Sequence, residues 1–147
     1  MTAGKAALLG NRAMFTLTVE GCDELLRVVR FGGHEAISTL FEYRLEVASA
    51  TLPLDSLVGK PALLTIEGVE GPRYIHGFVC EAGYFGESSS YTLYELTLVP
   101  EVWRLHQRVS SRIFQAQDTP KILSKVLEGA RIPRAQYRLV CRVELSA

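Results

Sequence analysis

His76 and Cys80 stand four residues apart, a spacing at which two side chains on one helix face could share a metal ion. They fall, however, in a β-rich run from Arg73 to Tyr84, where four residues of extended chain cover about 13 Å, too far for shared zinc coordination. The plainer expectation is a barrel-facing His76 between Tyr74 and Phe78. His34 and His106 have no ligand-spaced companions. Glu42 and Glu46 repeat the strand separation, too long for the usual carboxylate pairs of glycoside hydrolysis, and with Arg44 between them they read as solvated charges. Gly59-Lys60 has the ending of a phosphate-binding loop, but Pro61 stands where Ser or Thr must reach Mg²⁺ and Leu54 where the first glycine is needed. A turn into the next strand explains it better. Ser88, Ser89 and Ser90 lack the G-x-S-x-G setting of an exposed nucleophile and read as a hairpin tip. Cys22, Cys80 and Cys141 are odd in number and widely spaced, which fits reduced thiols. No catalytic residue, cofactor or metal is expected.

One charged pattern remains. Arg104, Arg108 and Arg112 recur every four residues, and Arg131, Arg134, Arg138 and Arg142 extend the basic character. With the tyrosines they keep an OB-like nucleic-acid-binding barrel as an alternative, for which a salt-dependent shift of single-stranded DNA or RNA is the discriminating observation. Against it, 16 Lys+Arg balance 16 Asp+Glu. The balance is uneven along the chain: residues 1–100 hold 7 basic and 12 acidic side chains, residues 101–147 hold 9 and 4. That polarity offers a handle to another subunit unless the halves interleave in the fold.

The elements that must position these residues are mostly strands. Phe41, Tyr43, Leu45 and Val47 alternate with Glu42, Arg44 and Glu46, the period of a strand with one buried face. Phe15, Leu17 and Val19 alternate in the same way, and the turn signal Glu20-Gly21-Cys22-Asp23 leads into Leu25 to Phe31, which predicts a hairpin. Ala62 to Glu67 and Arg73 to Tyr84 form another around Gly68 to Pro72, and Tyr91 to Val99 follows the serine loop. Pro100 ends that ladder because it has no N–H to donate. Glu101 to Gln107 suits a short helix, and Pro120 to Glu128 suits a better one, capped by Asp118 or Thr119 and closed by Gly129. Its stripe of Ile122, Leu123, Val126 and Leu127 marks a docking face. Tyr137, Leu139, Cys141 and Val143 alternate as a last strand.

The fold class is therefore mainly β with α additions: an antiparallel β-barrel or sandwich with one or two short helices near the C-terminal end. At 147 residues the chain suits a single domain, with residues 1–12 frayed and residues 13–147 forming the barrel domain. No stretch approaches the roughly 18 apolar residues of a membrane span, and Ala6 to Leu9 is too short for a signal-peptide core. The expectation is a soluble protein, unexported or specially exported.

Ser38 to Leu45, Leu57 to Lys60, Arg73 to Val79, Tyr91 to Leu105 and Ser111 to Gln115, taken in that order, resemble the start of the VgrG spike proteins of type VI secretion. That family is in turn similar to the phage tail-hub protein beneath the puncturing spike. The resemblance covers Phe15 to the end of the chain but only the first part of a family member, so it implies a domain truncated relative to the full protein. It implies an antiparallel barrel of the tail-hub type acting as a structural, non-enzymatic hub, which joins a trimeric spike to an Hcp-like tube and is expelled with it. The implied partners are two further copies in the full-length context, the tube protein, and effector or adaptor proteins, with no nucleic acid. Membrane contact would come only through the assembled machine. The implied location is the bacterial cytoplasm before firing, then outside the cell. Gly59 and Gly77 look like backbone requirements, and Pro100 ends the family's strand. Phe41, Tyr43, Tyr94, Leu96, Trp103, Ile113 and Phe114 look like barrel and helix packing, Tyr74 and His76 belong to the same motifs, and Arg112 and Gln115 either fix the connection into the helix or contact a neighbouring subunit.

Overall fold

The computed structural model describes residues 14–87 and 91–140. Six strands, β1 (Met14–Val19), β2 (Leu26–Ala36), β3 (Thr39–Ser49), β4 (Pro61–Gly68), β5 (Gly71–Glu87) and β6 (Thr92–Val99), pair in the order β1-β2-β3-β6-β5-β4 and close into a barrel. Every pairing is antiparallel. Closure removes free sheet edges over most of the wall, so backbone hydrogen bonds are satisfied around the ring. The expected alternation is what fills it. Leu17 and Val19, Leu26 and Val28, Tyr43, Leu45 and Val47, Leu64, Ile75 and Val79, and Tyr94, Leu96 and Leu98 converge in one buried cluster. Most of their polar sequence neighbours stay outside or at the rim, with Thr97 a buried exception.

β5 is long enough to serve two partners in turn: Gly71 to Phe78 face β4, and Phe78 to Glu87 face β6. A register shift between Val79 and Glu81 leaves Cys80 as the extra residue, and a second lies between Tyr84 and Gly86. Bulges of this kind bend a strand and raise its twist, which a small barrel needs at its corners. The phase of β5 differs from the expectation. Ile75 points inward, while Tyr74 and His76 are exposed on the outer face and do not face the barrel. The interior takes Ile75, Gly77 and Val79, and at Gly77 the Val99 carbonyl leaves no room for a side chain; Phe78, on the opposite phase, is also buried but is not part of the core cluster.

A one-turn helix, α1 (Leu54–Leu57), had no sequence signal, being too short to show a period. It buries Leu57, with Leu52 just before it, against the end of the barrel.

The chain divides into two compact units, residues 1–100 and 101–147. The second begins with a 3₁₀ helix, Glu101–Gln107, where a short helix is expected. It continues through irregular backbone to α2 (Thr119–Gly129), whose cap is Asp118, its carboxylate accepting from the Lys121 N–H at 2.9 Å. On α2, Ile122, Val126 and Leu127 are half-buried and Leu123 is exposed. A 3₁₀ turn, Arg134–Gln136, follows Pro133. Tyr137 to Val140 is extended or irregular without a strand partner among the described residues, and the rest of the expected last strand, from Cys141, lies outside them.

Candidate assembly surface

Positions singled out in the sequence fall into three groups. The first lines one mouth of the barrel. The rings of Phe15 and Phe31 meet edge to face at 4.7 Å, Phe31 lies 6.0 Å from Tyr43, and Phe41 lies 5.6 Å from Tyr43. This aromatic chain plugs the barrel with rigid apolar area. Tyr43 is buried, whereas Phe41 is half-buried at the margin, less deep than its place in the alternation implied. Outside the plug, Glu35 accepts from Arg73 at 2.5 Å, and the Tyr43 hydroxyl hydrogen-bonds to the same carboxylate. β2 and β5 are not neighbours in the sheet, so this pair spans strands that the barrel order keeps apart. Sequence reasoning found Tyr43 but missed Glu35 and Arg73, 38 residues apart, for which no local pattern exists.

The electrostatics follow from this contact. The Tyr43 hydrogen bond, then that of Arg73, holds the Glu35 carboxyl below its ordinary range. Burial, and then the hydrogen bond to Glu35, pushes the Tyr43 phenol up to about 12. A raised folded pKa gives stability that is complete below the unfolded value, about 10, and disappears as pH rises through the folded one. Unfolding midpoints in urea are therefore expected to fall between pH 10 and about 12, and Tyr43→Phe is expected to remove its share of that fall.

The second group fixes the wall. Gly59 has φ +81°, a left-handed conformation that suits glycine, and its N–H donates to the Val79 carbonyl at 2.7 Å while the Val79 N–H returns a bond to Lys60. Gly59-Lys60 is thus a turn anchored on β5. Gly77 is needed for close approach: a Cβ there would stand 2.4 Å from the Val99 carbonyl oxygen. The Tyr94 hydroxyl accepts from the buried Leu52 N–H at 3.3 Å, tying the loop before α1 to β6. Tyr94→Phe should leave that N–H without its acceptor and cost about 1–3 kcal/mol in a denaturant titration.

The third group consists of Pro100, the last residue of the first unit, and residues of the second unit. Pro100 follows the last residue of β6, and Trp103 is half-buried in the 3₁₀ helix. Arg112 lies against Gly129 at the end of α2, and Arg108 donates to the Gly129 carbonyl. Two cations at a helix C-terminus complement its dipole, so the four-residue spacing serves local structure. Ile113 is exposed, which corrects its expected packing role; Phe114 is half-buried and Gln115 exposed.

The four-residue series of arginines does not form a helical stripe. The 3₁₀ helix stops at Gln107, so Arg104, Arg108 and Arg112 share no helix face. Arg104 pairs with Glu101 at 2.6 Å, and Arg134 stacks over the Tyr137 ring at 4.9 Å. Glu46 is not a free solvated charge but pairs with Arg30 at 2.9 Å, and Glu42 contacts Arg44 at 3.4 Å. Among the described residues no three His, Cys, Asp or Glu side chains gather as a metal site. Cys22 and Cys80 are free thiols, and burial raises the pKa of Cys80, which makes it less reactive. Ser88 to Ser90 and Arg142 lie outside the described residues. No helix among those described is long and apolar enough to cross a membrane.

What this geometry offers is a stiff closed wall, a plugged mouth and exposed hairpins. Residues 34–142 match the family described as phage tail baseplate hub (GPD). The chain belongs to that family. The hub domain is homologous to Pseudomonas aeruginosa spike proteins of type VI secretion: it is 37% identical to VgrG4b over 132 residues, covering 87% of this chain and 16% of that protein. It is 38% identical to VgrG1c over 106 residues, covering 70% of this chain and 15% of that protein. Among solved structures it is similar to the E. coli c3393 protein, a component of the type VI secretion system with structural similarity to the T4 bacteriophage tail proteins gp27 and gp5. The TM-score is 0.70 at 25% identity, over 83% of this chain and 33% of that one. The hub domain spans about one sixth of the length of these curated relatives. The matched region is a structural one, the hub of a tail baseplate.

Proposed function

We propose that this hub domain joins a trimeric spike to an Hcp-like tube in a type VI secretion machine or a phage-tail-like relative, and is expelled with them. The observation that carries this reading is the match over residues 34–142 combined with a closed six-stranded barrel. Thrust along an axis is best borne by a wall in which each strand is hydrogen-bonded on both sides, and the barrel is such a wall over most of its height. In this reading the homotrimer is completed by the larger protein, with the tube protein on one side and effector or adaptor proteins elsewhere. The module is made in the bacterial cytoplasm and leaves with the machine, meeting membrane only in that assembly. Its uneven charge supports contact between unlike surfaces. The test is co-sedimentation of the protein carrying this domain with purified Hcp-like rings. Retention on the rings, weakened by salt, is the expected result; no retention at micromolar concentrations of both overturns the tube-docking role.

A further inference from the structure

The β2–β3 hairpin extends beyond the barrel wall. β2 pairs with β1 only up to Val28, and β3 pairs with β6 only from Tyr43 onward. Arg30 to Gly33 still pair with Tyr43 to Glu46 of the wall, but beyond them His34 to Ala36 and Thr39 to Glu42 have only each other as strand partners among the described residues. This two-stranded arm turns at Ile37 and at Ser38, whose φ is +62°, and Ile37 is 96% exposed. At its base a Cβ on Gly33 would stand 2.4 Å from the Glu42 carbonyl oxygen, so the ribbon is pinched where it leaves the wall. A register shift between His34 and Ala36 sets two residues of β3, Leu40 and Phe41, opposite the single residue Glu35. Bulges bend a ribbon locally, and this one lies directly across from the carboxylate that meets Arg73.

We propose that Glu35 and Arg73, with the Tyr43 hydroxyl, form a latch holding the β2–β3 arm across the barrel mouth against the start of β5. An isolated two-stranded ribbon is marginal in water, so an arm lacking further strand partners needs other restraint. Phe41 supplies the apolar part by packing on the core, and the latch supplies the directional part. The consequence is positional. Arg73 lies just after the β4–β5 turn, where Val69 is 93% exposed. With the latch closed, the bare tips Ile37 and Val69 are presented together at one mouth; with it open, the arm swings on its pinched base.

Amide hydrogen exchange on the whole chain with Arg73→Gln tests this, because the change lies far in sequence from the arm and leaves its intrinsic exchange rates untouched. Exchange at the arm amides from Gly33 to Glu42 should accelerate about two- to fivefold, the range for a solvent-screened pair, while Leu45, Leu64 and Leu96 keep their rates. Glu35→Gln added to Arg73→Gln should bring little further change outside the substituted residue's neighbours. The exchanged pair Glu35→Arg with Arg73→Glu should restore most of the protection. Unchanged arm exchange in Arg73→Gln, or equal acceleration throughout the barrel, would overturn the latch.

Discussion

Leu45→Ala is expected to destabilise the barrel by about 2–5 kcal/mol, the range for truncating a fully enclosed leucine. Leu45 is inaccessible to solvent, and β3 lies between β2 and β6, so neither neighbouring strand can collapse far into the space left behind. Such a loss is a large fraction of the stability of a small domain. Phe41→Ala should cost less, because that ring is only half-buried on the arm. Chemical denaturation of the two variants orders them directly. Equal losses would mean that the arm is as deeply packed as the wall.

Gly77→Val should be at least as damaging. Even the Cβ shared by all other residues would meet the Val99 carbonyl at 2.4 Å and crowd Leu98, and backbone cannot turn aside as a flexible side chain can. Gly77 pairs with Ala62 where β5 changes partner from β4 to β6, so relief requires opening a corner of the barrel. Gly77→Ala is expected to cost about 1–3 kcal/mol, as overpacking does, and the valine more. Circular dichroism melts would show both. Wild-type stability in Gly77→Val would refute the close crossing.

These two sites also show what the sequence could reveal. Leu45 was legible because β3 alternates cleanly and its polar neighbours mark the wet face. The hairpin pairs and Pro100 were legible for equally local reasons. Gly77 stood out only through its resemblance to family motifs, since the carbonyl that forbids a side chain there belongs to Val99, 22 residues on. The phase of β5 is hard to read from sequence because Tyr74 and His76 share it with the buried Phe78, while Ile75 and Val79 take the other, and the bulge at Cys80 interrupts the count. Ile113 was misjudged because an apolar residue beside Phe114 looks like packing when the backbone around it is unknown. The Glu35 contact with Arg73 had no local trace, since it depends on barrel closure bringing two distant hairpins together.

The central claim is that these residues form the hub of a trimeric spike. Sedimentation equilibrium on VgrG4b of Pseudomonas aeruginosa, with its 132 matching residues replaced by those of this chain, tests it most directly. The account predicts a discrete trimer that persists to about 0.5 M salt, where the Debye length is well below 10 Å and surface charge no longer holds subunits together. A folded chimera that remains strictly monomeric would contradict it.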